Sequence, residues 1–328
     1  MPNKGVAMPR SVSTRREFIR SAAVAAAGAA LPCCVTSPMG RAAENRAKLK
    51  IWMHWDMEGT SGLFLREQAW YKGKEVKPEV AEEGIKLLIA DVNSAAEAAL
   101  KAGATELIVC DTHGGGGNFR PKEMFADPRV TYLYKSQGYE GKSFRWMPGM
   151  NETVDGLMLM GHHAKAGTPN AFLAHTNSSS WTDFSINAQS VGEIGIEACF
   201  AGHWGVPLVL AHGDEAMCKE VEQQFPGAVR VCVKKAQSHD RCAGLEAAAA
   251  RKFTAEKIAE AIHKLRTAKP SPYKPKLPMR VALRYKEEGP AEAVAKRPGV
   301  RRVDAHTVEC EVQRQCDVVK WMSGTGVE

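Results

Sequence analysis

The chain has 328 residues, 44% of them hydrophobic and 25% charged, which is ordinary for a soluble globular protein of one large domain or two modest ones. Its net charge of +7 is concentrated at one end: residues 1–42 carry Lys4, Arg10, Arg15, Arg16, Arg20 and Arg41 against Glu17, leaving only +2 for residues 43–328. That small excess excludes a nucleic-acid-binding surface.

The first residues have the pattern of an export signal. Thr14-Arg15-Arg16-Glu17-Phe18-Ile19-Arg20 resembles the twin-arginine motif, and an Ala-rich run from Ala22 to Leu31 follows. The run is far shorter than the ~20 residues of a membrane span. Gly40-Arg41-Ala42 has small residues at its outer positions, so residues 1–42 are expected to be removed near Ala43. This implies the twin-arginine export machinery as a partner and a periplasmic or secreted location. Cys33 and Cys34 follow Ala-Leu-Pro, a poor lipobox. Seven cysteines lie beyond residue 42 without Cys-x-x-Cys spacing, which argues against a zinc ribbon or a thioredoxin-like motif. Cys310 with Cys316 is the one disulfide pairing to consider in an oxidising compartment.

After the signal, strands alternate with helices. Lys50–Met53 reads as a first strand. Apolar residues at Ile85, Leu88, Ile89, Val92, Ala96 and Ala99 give a helix from Glu79 to Ala102, opened by Pro78 and stopped at Gly103. Thr105–Cys110 and Val154–Met160 are further strands. Phe184–Ile186 and Gln189–Val191 form a hairpin across Asn187-Ala188, a weaker turn than Asn-Gly. A helix to Ala201, a strand Pro207–Ala211, a helix Glu215–Phe225 and a strand Ala228–Val233 follow, then a helix Thr254–Thr267. The alternation predicts an α/β fold with a mostly parallel central sheet flanked by helices over residues 43–268. Beyond the Pro-rich passage Lys269–Pro275, strands at 279–285, 301–303 and 308–312 and a short helix at 290–296 predict a smaller C-terminal α+β subdomain, residues 269–328.

Ligands of open α/β sheets lie at the carboxyl ends of the strands, and three of these strands end in metal-type side chains. The first runs into His54-Trp55-Asp56-Met57-Glu58-Gly59, where two carboxylates two residues apart share one side of an extended backbone. Such a pair repels unless a cation or a proton lies between them. The second ends Cys110-Asp111-Thr112-His113 before four glycines, and the third ends Gly161-His162-His163-Ala164.

Asp-Met-Glu-Gly-x-Ser-Gly, Asp-x-His, Gly-x-His-Ala-x-Ala-x-Thr-Pro, a following His and Val-Gly-Glu-x-Gly together resemble the zinc-dependent D-aminopeptidases of the DppA type, in order and spacing from Lys50 onward. The resemblance implies two zinc ions per subunit, with manganese or cobalt tolerated by the same side chains. It assigns the metal ligands to Asp56 as the bridge, Glu58, His113, His163 and Glu193, and the catalytic role to His175. It further implies a ring-shaped homo-oligomer acting on short peptides, the D-Ala type being the plausible pool in a periplasm. Hydrolysis of another amide or ester on the same metals, or an inactive peptide-binding relative, are the other functions such a chain would have.

Two departures from the pattern stand out. His162 occupies a position where an aromatic residue is usual and competes with His163; strand alternation sends the two to opposite faces, and the register favours His163. His54 replaces a small residue and is expected as a buried structural histidine or as a donor to a ligand. Asp111 either orients His113 or serves the strand-end turn, and Asn177 with Ser178-Ser179-Ser180 forms a polar loop near the cleft.

Overall fold

The computed structural model describes residues 48–135, 137–140 and 143–322. In chain order its elements are β1 (Lys50–Trp55), α1 (Arg66–Ala69), α2 (Pro78–Lys101), β2 (Glu106–Asp111), β3 (Val130–Leu133), β4 (Gln137–Glu140), β5 (Ser143–Trp146), β6 (Gly156–His162), β7 (Trp181–Ile186) and β8 (Gln189–Ser190). There follow α3 (Glu193–Gly202), β9 (Leu208–Asp214), α4 (Glu215–Gln224), β10 (Val229–Ala236), β11 (Cys242–Gly244), α5 (Ala247–Thr267), β12 (Met279–Tyr285), α6 (Glu288–Ala295), β13 (Val300–Arg302) and β14 (Thr307–Val312).

A seven-stranded sheet in the order β11-β10-β9-β6-β1-β2-β3 forms the centre, parallel throughout except for the antiparallel edge strand β11. The predicted α/β class with a mostly parallel sheet is therefore what the chain adopts. Its central strands are buried along almost their whole length, β6 at every position, as parallel strands covered on both faces must be. The faces are told apart by alternation: Ile51, Met53, Val109, Met158 and Met160 pack with α2 and α5, whereas Trp52, Ile108, Leu157 and Leu159 pack with α3 and α4. α2 begins at Pro78, whose missing N–H costs nothing in a first turn. α5 starts seven residues earlier than its apolar spacing predicts, through Ala247–Ala250; alanine favours helix without adding an apolar stripe.

A second, five-stranded sheet, β13-β14-β12-β7-β8, covers the α3 face. It joins the C-terminal strands to the hairpin at residues 181–190 through the antiparallel β7–β12 pair, so this pairing crosses the division expected at residue 268. Asn187 and Ala188 both take positive φ, 49° and 67°, the conformation of a two-residue hairpin. Asn187 offsets the poor turn chemistry by docking on the next strand: its N–H donates to the Arg280 carbonyl at 2.8 Å, and its Oδ1 accepts from Arg280 N–H at 2.9 Å.

Cys110, Cys199, Cys218, Cys232, Cys242, Cys310 and Cys316 are all free thiols, so the Cys310–Cys316 disulfide is not formed. The expected signal segment 1–42, with Cys33 and Cys34, lies outside the described residues.

Candidate metal centre

The site lies at the carboxyl ends of three neighbouring strands. Trp55 in β1 is in register with Asp111 in β2 and Met160 in β6, so the residues that follow each strand emerge side by side. The β1 and β6 ends are clamped by backbone bonds, Asp56 N–H to Met160 O at 2.9 Å and Gly59 N–H to Gly161 O at 2.6 Å. Gly161 has φ +69°, and a Cβ there would lie 2.1 Å from the Asp56 carbonyl oxygen. Only glycine permits that approach.

Asp56 stands at the centre. Its Oδ1 is 2.9 Å from His113 Nδ1, and its Oδ2 is 3.2 Å from His163 Nε2. Glu58 Oε2 lies 3.1 Å from His113 Nδ1, and Glu193 Oε1 lies 3.5 Å from His163 Nε2. His175 Nε2 faces both Glu58 and Glu193, at 3.9 and 3.7 Å, and its ring stacks on His163 with centroids 3.9 Å apart. All six residues named from the sequence thus meet in one cluster.

The tautomers follow from the backbone. His163 Nδ1 donates to Ala164 O at 2.9 Å, and His175 Nδ1 donates to Leu173 O at 2.8 Å, which leaves both Nε2 atoms turned toward the carboxylates. His163 Nε2 is buried with no hydrogen-bond partner. Among the described residues, three overlapping groups have ligand atoms within 4.8 Å of one another: Asp56 with Glu58 and His113, Asp56 with His163 and Glu193, and Glu58 with His163 and His175. Carboxylate and imidazole in such sets suit a divalent transition metal.

The electrostatics point the same way. Burial pulls His113 and His163 toward neutrality, but the Glu58 and Asp56 carboxylates for the first, and Glu193 and Asp56 for the second, prevail and hold both imidazoles well above their usual range. Burial likewise raises Glu58 and Glu193, yet the facing histidines hold both carboxyls below theirs. Converging carboxylates here require positive charge, which a cation supplies as well as protonated rings do.

Neighbouring elements hold the ligands in place. Trp70, just after α1, donates from Nε1 to Glu58 Oε1 at 2.6 Å and sets its ring edge-on to His175. Asn177, at φ 56°, donates its N–H to Glu193 Oε1 at 2.6 Å, while Ser178 and Ser180 bond to one another. Asp111 does not touch the His113 ring. It accepts from Asn118 N, Asn118 Nδ2 and Phe119 N, closing the loop in which Gly114–Gly117 all take positive φ. His162 points away from the cluster and bonds His54, Nε2 to Nδ1 at 3.0 Å; His54 Nε2 in turn faces Glu197 Oε1 at 3.6 Å.

The peptidase M55 family, described as D-aminopeptidase, matches residues 49–324. The chain belongs to that family. A D-aminopeptidase from Bacillus subtilis (strain 168) is 29% identical over 222 residues, covering 68% of this chain and 77% of that protein. A solved structure described as Zn-dependent D-aminopeptidase DppA from Bacillus subtilis, a self-compartmentalizing protease, superposes with a TM-score of 0.75 at 26% identity, covering 84% of this chain and 96% of that one.

Three residues of this D-aminopeptidase-family site were not anticipated from the sequence. Trp70 carries no periodic signal and reaches Glu58 only through the fold. Lys234 in β10 donates from a buried ammonium into the β1 loop. Glu197 lies four residues after Glu193 on the same face of α3, a spacing that marks it in hindsight.

Proposed function

We propose that this protein is an exported aminopeptidase that holds two zinc ions between Asp56, Glu58, His113, His163 and Glu193. It removes the N-terminal residue, of D-Ala type, from short peptides. One observation carries the assignment: the two oxygens of Asp56 turn to two different imidazoles, His113 at 2.9 Å and His163 at 3.2 Å. A carboxylate shared in that way is the natural bridge of a dinuclear site. Asp56, Glu58 and His113 would hold one ion; Asp56, His163 and Glu193 would hold the other. Manganese or cobalt fits the same donors.

Bound zinc supplies a Lewis acid for the scissile carbonyl and an acidified water at neutral pH. The rest is the work of the chain. His175 is more exposed than His163, with 17% of its side chain accessible against 1%, so its ring lies on the substrate side. Its Nδ1–H is committed to Leu173 O, which leaves Nε2 to accept a proton and return it to the leaving amine. Trp70 fixes Glu58 and the Asn177 backbone fixes Glu193, so neither carboxylate swings away. The cavity, about 290 Å³, is lined by Asp56, Glu58, Trp70, His113, His175 and Glu193 among others. It is at the small end of ligand pockets, which run from roughly 300 Å³ upward, and suits one or two residues of a peptide.

The self-compartmentalizing relative supports a homo-oligomer here, which would admit only short peptides to enclosed sites. The twin-arginine pattern at residues 14–20 supports periplasmic delivery, where peptidoglycan fragments supply D-Ala peptides. The test is metal analysis of zinc-loaded wild type and Asp56→Ala, together with D-Ala and L-Ala p-nitroanilides and simple acyl amides as substrates. Two metals falling to one or none, with turnover of the D-alanyl substrate, is the expected result. Unchanged metal content removes the bridge, and turnover confined to an unrelated amide removes the aminopeptidase reading.

A further inference from the structure

Four carboxylates line the cavity: Asp56, Glu58, Glu193 and Glu197. The first three face imidazoles at 2.9–3.5 Å and are taken up by the metal assignment. Glu197 is different. It is 1% exposed, and its Oε2 has no hydrogen-bond partner. Its Oε1 lies 3.6 Å from His54 Nε2, beyond hydrogen-bond length.

His54 lines the same corner of the cavity beside Glu197. Thr112 Oγ1 donates its single proton to the Trp55 carbonyl, so toward His54 Nδ1, 3.2 Å away, it can only accept. His54 Nδ1 also lies 3.0 Å from His162 Nε2. His54 Nε2 is directed at Glu197 Oε1. Burial, with the Glu193 and Asp56 carboxylates nearby, holds the Glu197 carboxyl well above the usual carboxylate range, and its Oε2 has no partner, an arrangement that a multiply donating cation relieves.

We propose that Glu197, with His54 beside it, is the acceptor for the α-ammonium group of the substrate's N-terminal residue. This rests on the aminopeptidase reading above and deepens it. Such an enzyme must register a free amine next to the bond it cuts, and the amine nitrogen is only two bonds from the scissile carbonyl carbon. Its acceptor must therefore stand close to the metals without ligating them. Glu197 is one helical turn beyond Glu193, ~6 Å along the α3 axis, and on the same face. That is within reach of the α-nitrogen of a residue whose carbonyl lies at the cluster, and too near for the terminal ammonium of an extended lysine side chain. An ammonium offers a positive charge and three donors to Glu197 Oε1 and Oε2, whereas a neutral hydroxyl offers one donor.

The experiment uses zinc-loaded mature protein and two non-hydrolysable probes: alaninol, in the enantiomer matching the preferred substrate, and propane-1,2-diol of the same hand, which has a hydroxyl where alaninol has the ammonium. Binding is read by calorimetry, independently of turnover. Wild type is expected to bind alaninol at least ~10-fold more tightly than the diol, the scale of one charge-assisted hydrogen bond. Glu197→Gln, nearly isosteric, should remove that gap while keeping the metal content of wild type. It should raise KM for alanyl and lysyl peptides to the same degree, with kcat less affected. Equal binding of the two probes by wild type overturns the proposal, as does a gap that survives in Glu197→Gln. A metal lost from Glu197→Gln would make Glu197 a ligand instead, and a KM effect confined to lysyl peptides would make it a side-chain subsite. If Glu197→Gln does not fold, Glu197→Asn takes its place, and the wild-type probe comparison stands alone as a refutation. Wild-type turnover without a probe gap defeats this inference only; a probe gap without turnover of any aminoacyl substrate defeats the aminopeptidase reading only.

Discussion

Lys234 Nζ donates to the carbonyl oxygen of Glu58 at 2.9 Å, and the same ammonium donates to Leu63 O at 2.5 Å. A strand on the far side of β9 and β6 thereby holds both ends of the loop that carries the Asp-Met-Glu motif. The ammonium is buried, and burial brings Lys234 down to about 8. Lys234→Met would leave two inward-facing carbonyls without their donor. We expect a loss of about 1–3 kcal/mol in urea unfolding and a fall in kcat/KM as Glu58 shifts. A variant with wild-type stability and activity would show that the loop holds itself.

Asp91 accepts from Ser61 N–H at 2.8 Å, and Arg251 Nη1 lies 3.4 Å away. Burial nonetheless raises its pKa from 3.8 to about 6. The folded state binds this proton more tightly than the unfolded chain, so the group weakens the fold as pH rises from about 4 to about 6, and the penalty is complete above that. Its full size is about 3 kcal/mol on the scale of 1.36 kcal/mol per pKa unit. Asp91→Asn, which keeps an acceptor for Ser61, should therefore gain stability relative to wild type as pH rises through this window. Urea unfolding of both proteins between pH 4 and 8 checks it, and parallel pH profiles would refute it.

Trp70→Phe keeps an aromatic edge against His175 but deletes the N–H that holds Glu58 Oε1. Removing a group that orients a metal ligand commonly weakens metal affinity by about 10–100-fold. Competition for zinc against a chelator should show a loss of that order, with little change in thermal stability of the metal-free protein. Unchanged zinc affinity would mean that Glu58 is placed by its backbone alone.

Gly161→Ala puts a methyl group against the Asp56 carbonyl at 2.1 Å and a side chain at φ +69°. Left-handed backbone costs a non-glycine residue roughly 1–2 kcal/mol, and overpacking adds about 1–3 kcal/mol. Soluble yield and the melting temperature should both fall sharply. A variant that melts like wild type would show that the β1 and β6 ends can separate without loss.

Export is tested by replacing Arg15 and Arg16 with lysine in the full-length chain. The expected result is retention of active protein in the cytoplasm, seen by cell fractionation. Undiminished periplasmic recovery would set the twin-arginine reading aside.

The sequence alone determined the elements whose signal is local. α2 was legible from Leu88, Ile89, Val92, Ala96 and Ala99 with Pro78 ahead of them, and the central strands from short apolar runs that end in acids and histidines. The α/β class followed from the alternation of these elements. The six residues of the cluster were legible because each belongs to a short motif at a strand or helix end, where chemistry and backbone coincide. Elements with weak local signals were not: β3 is a half-exposed edge strand, β11 has three residues, and the β7–β12 pair joins segments about a hundred residues apart that only folding brings together. Tertiary structure also decided what each neighbour of the motifs does. Asp111 serves its own loop, Trp70 reaches Glu58 from beyond the turn after it, Lys234 reaches it from 176 residues away, and Glu197 meets His54 beside the cavity. A hydrogen bond depends on positions in space, so partners separated by tens or hundreds of residues leave no trace in the spacing of either one.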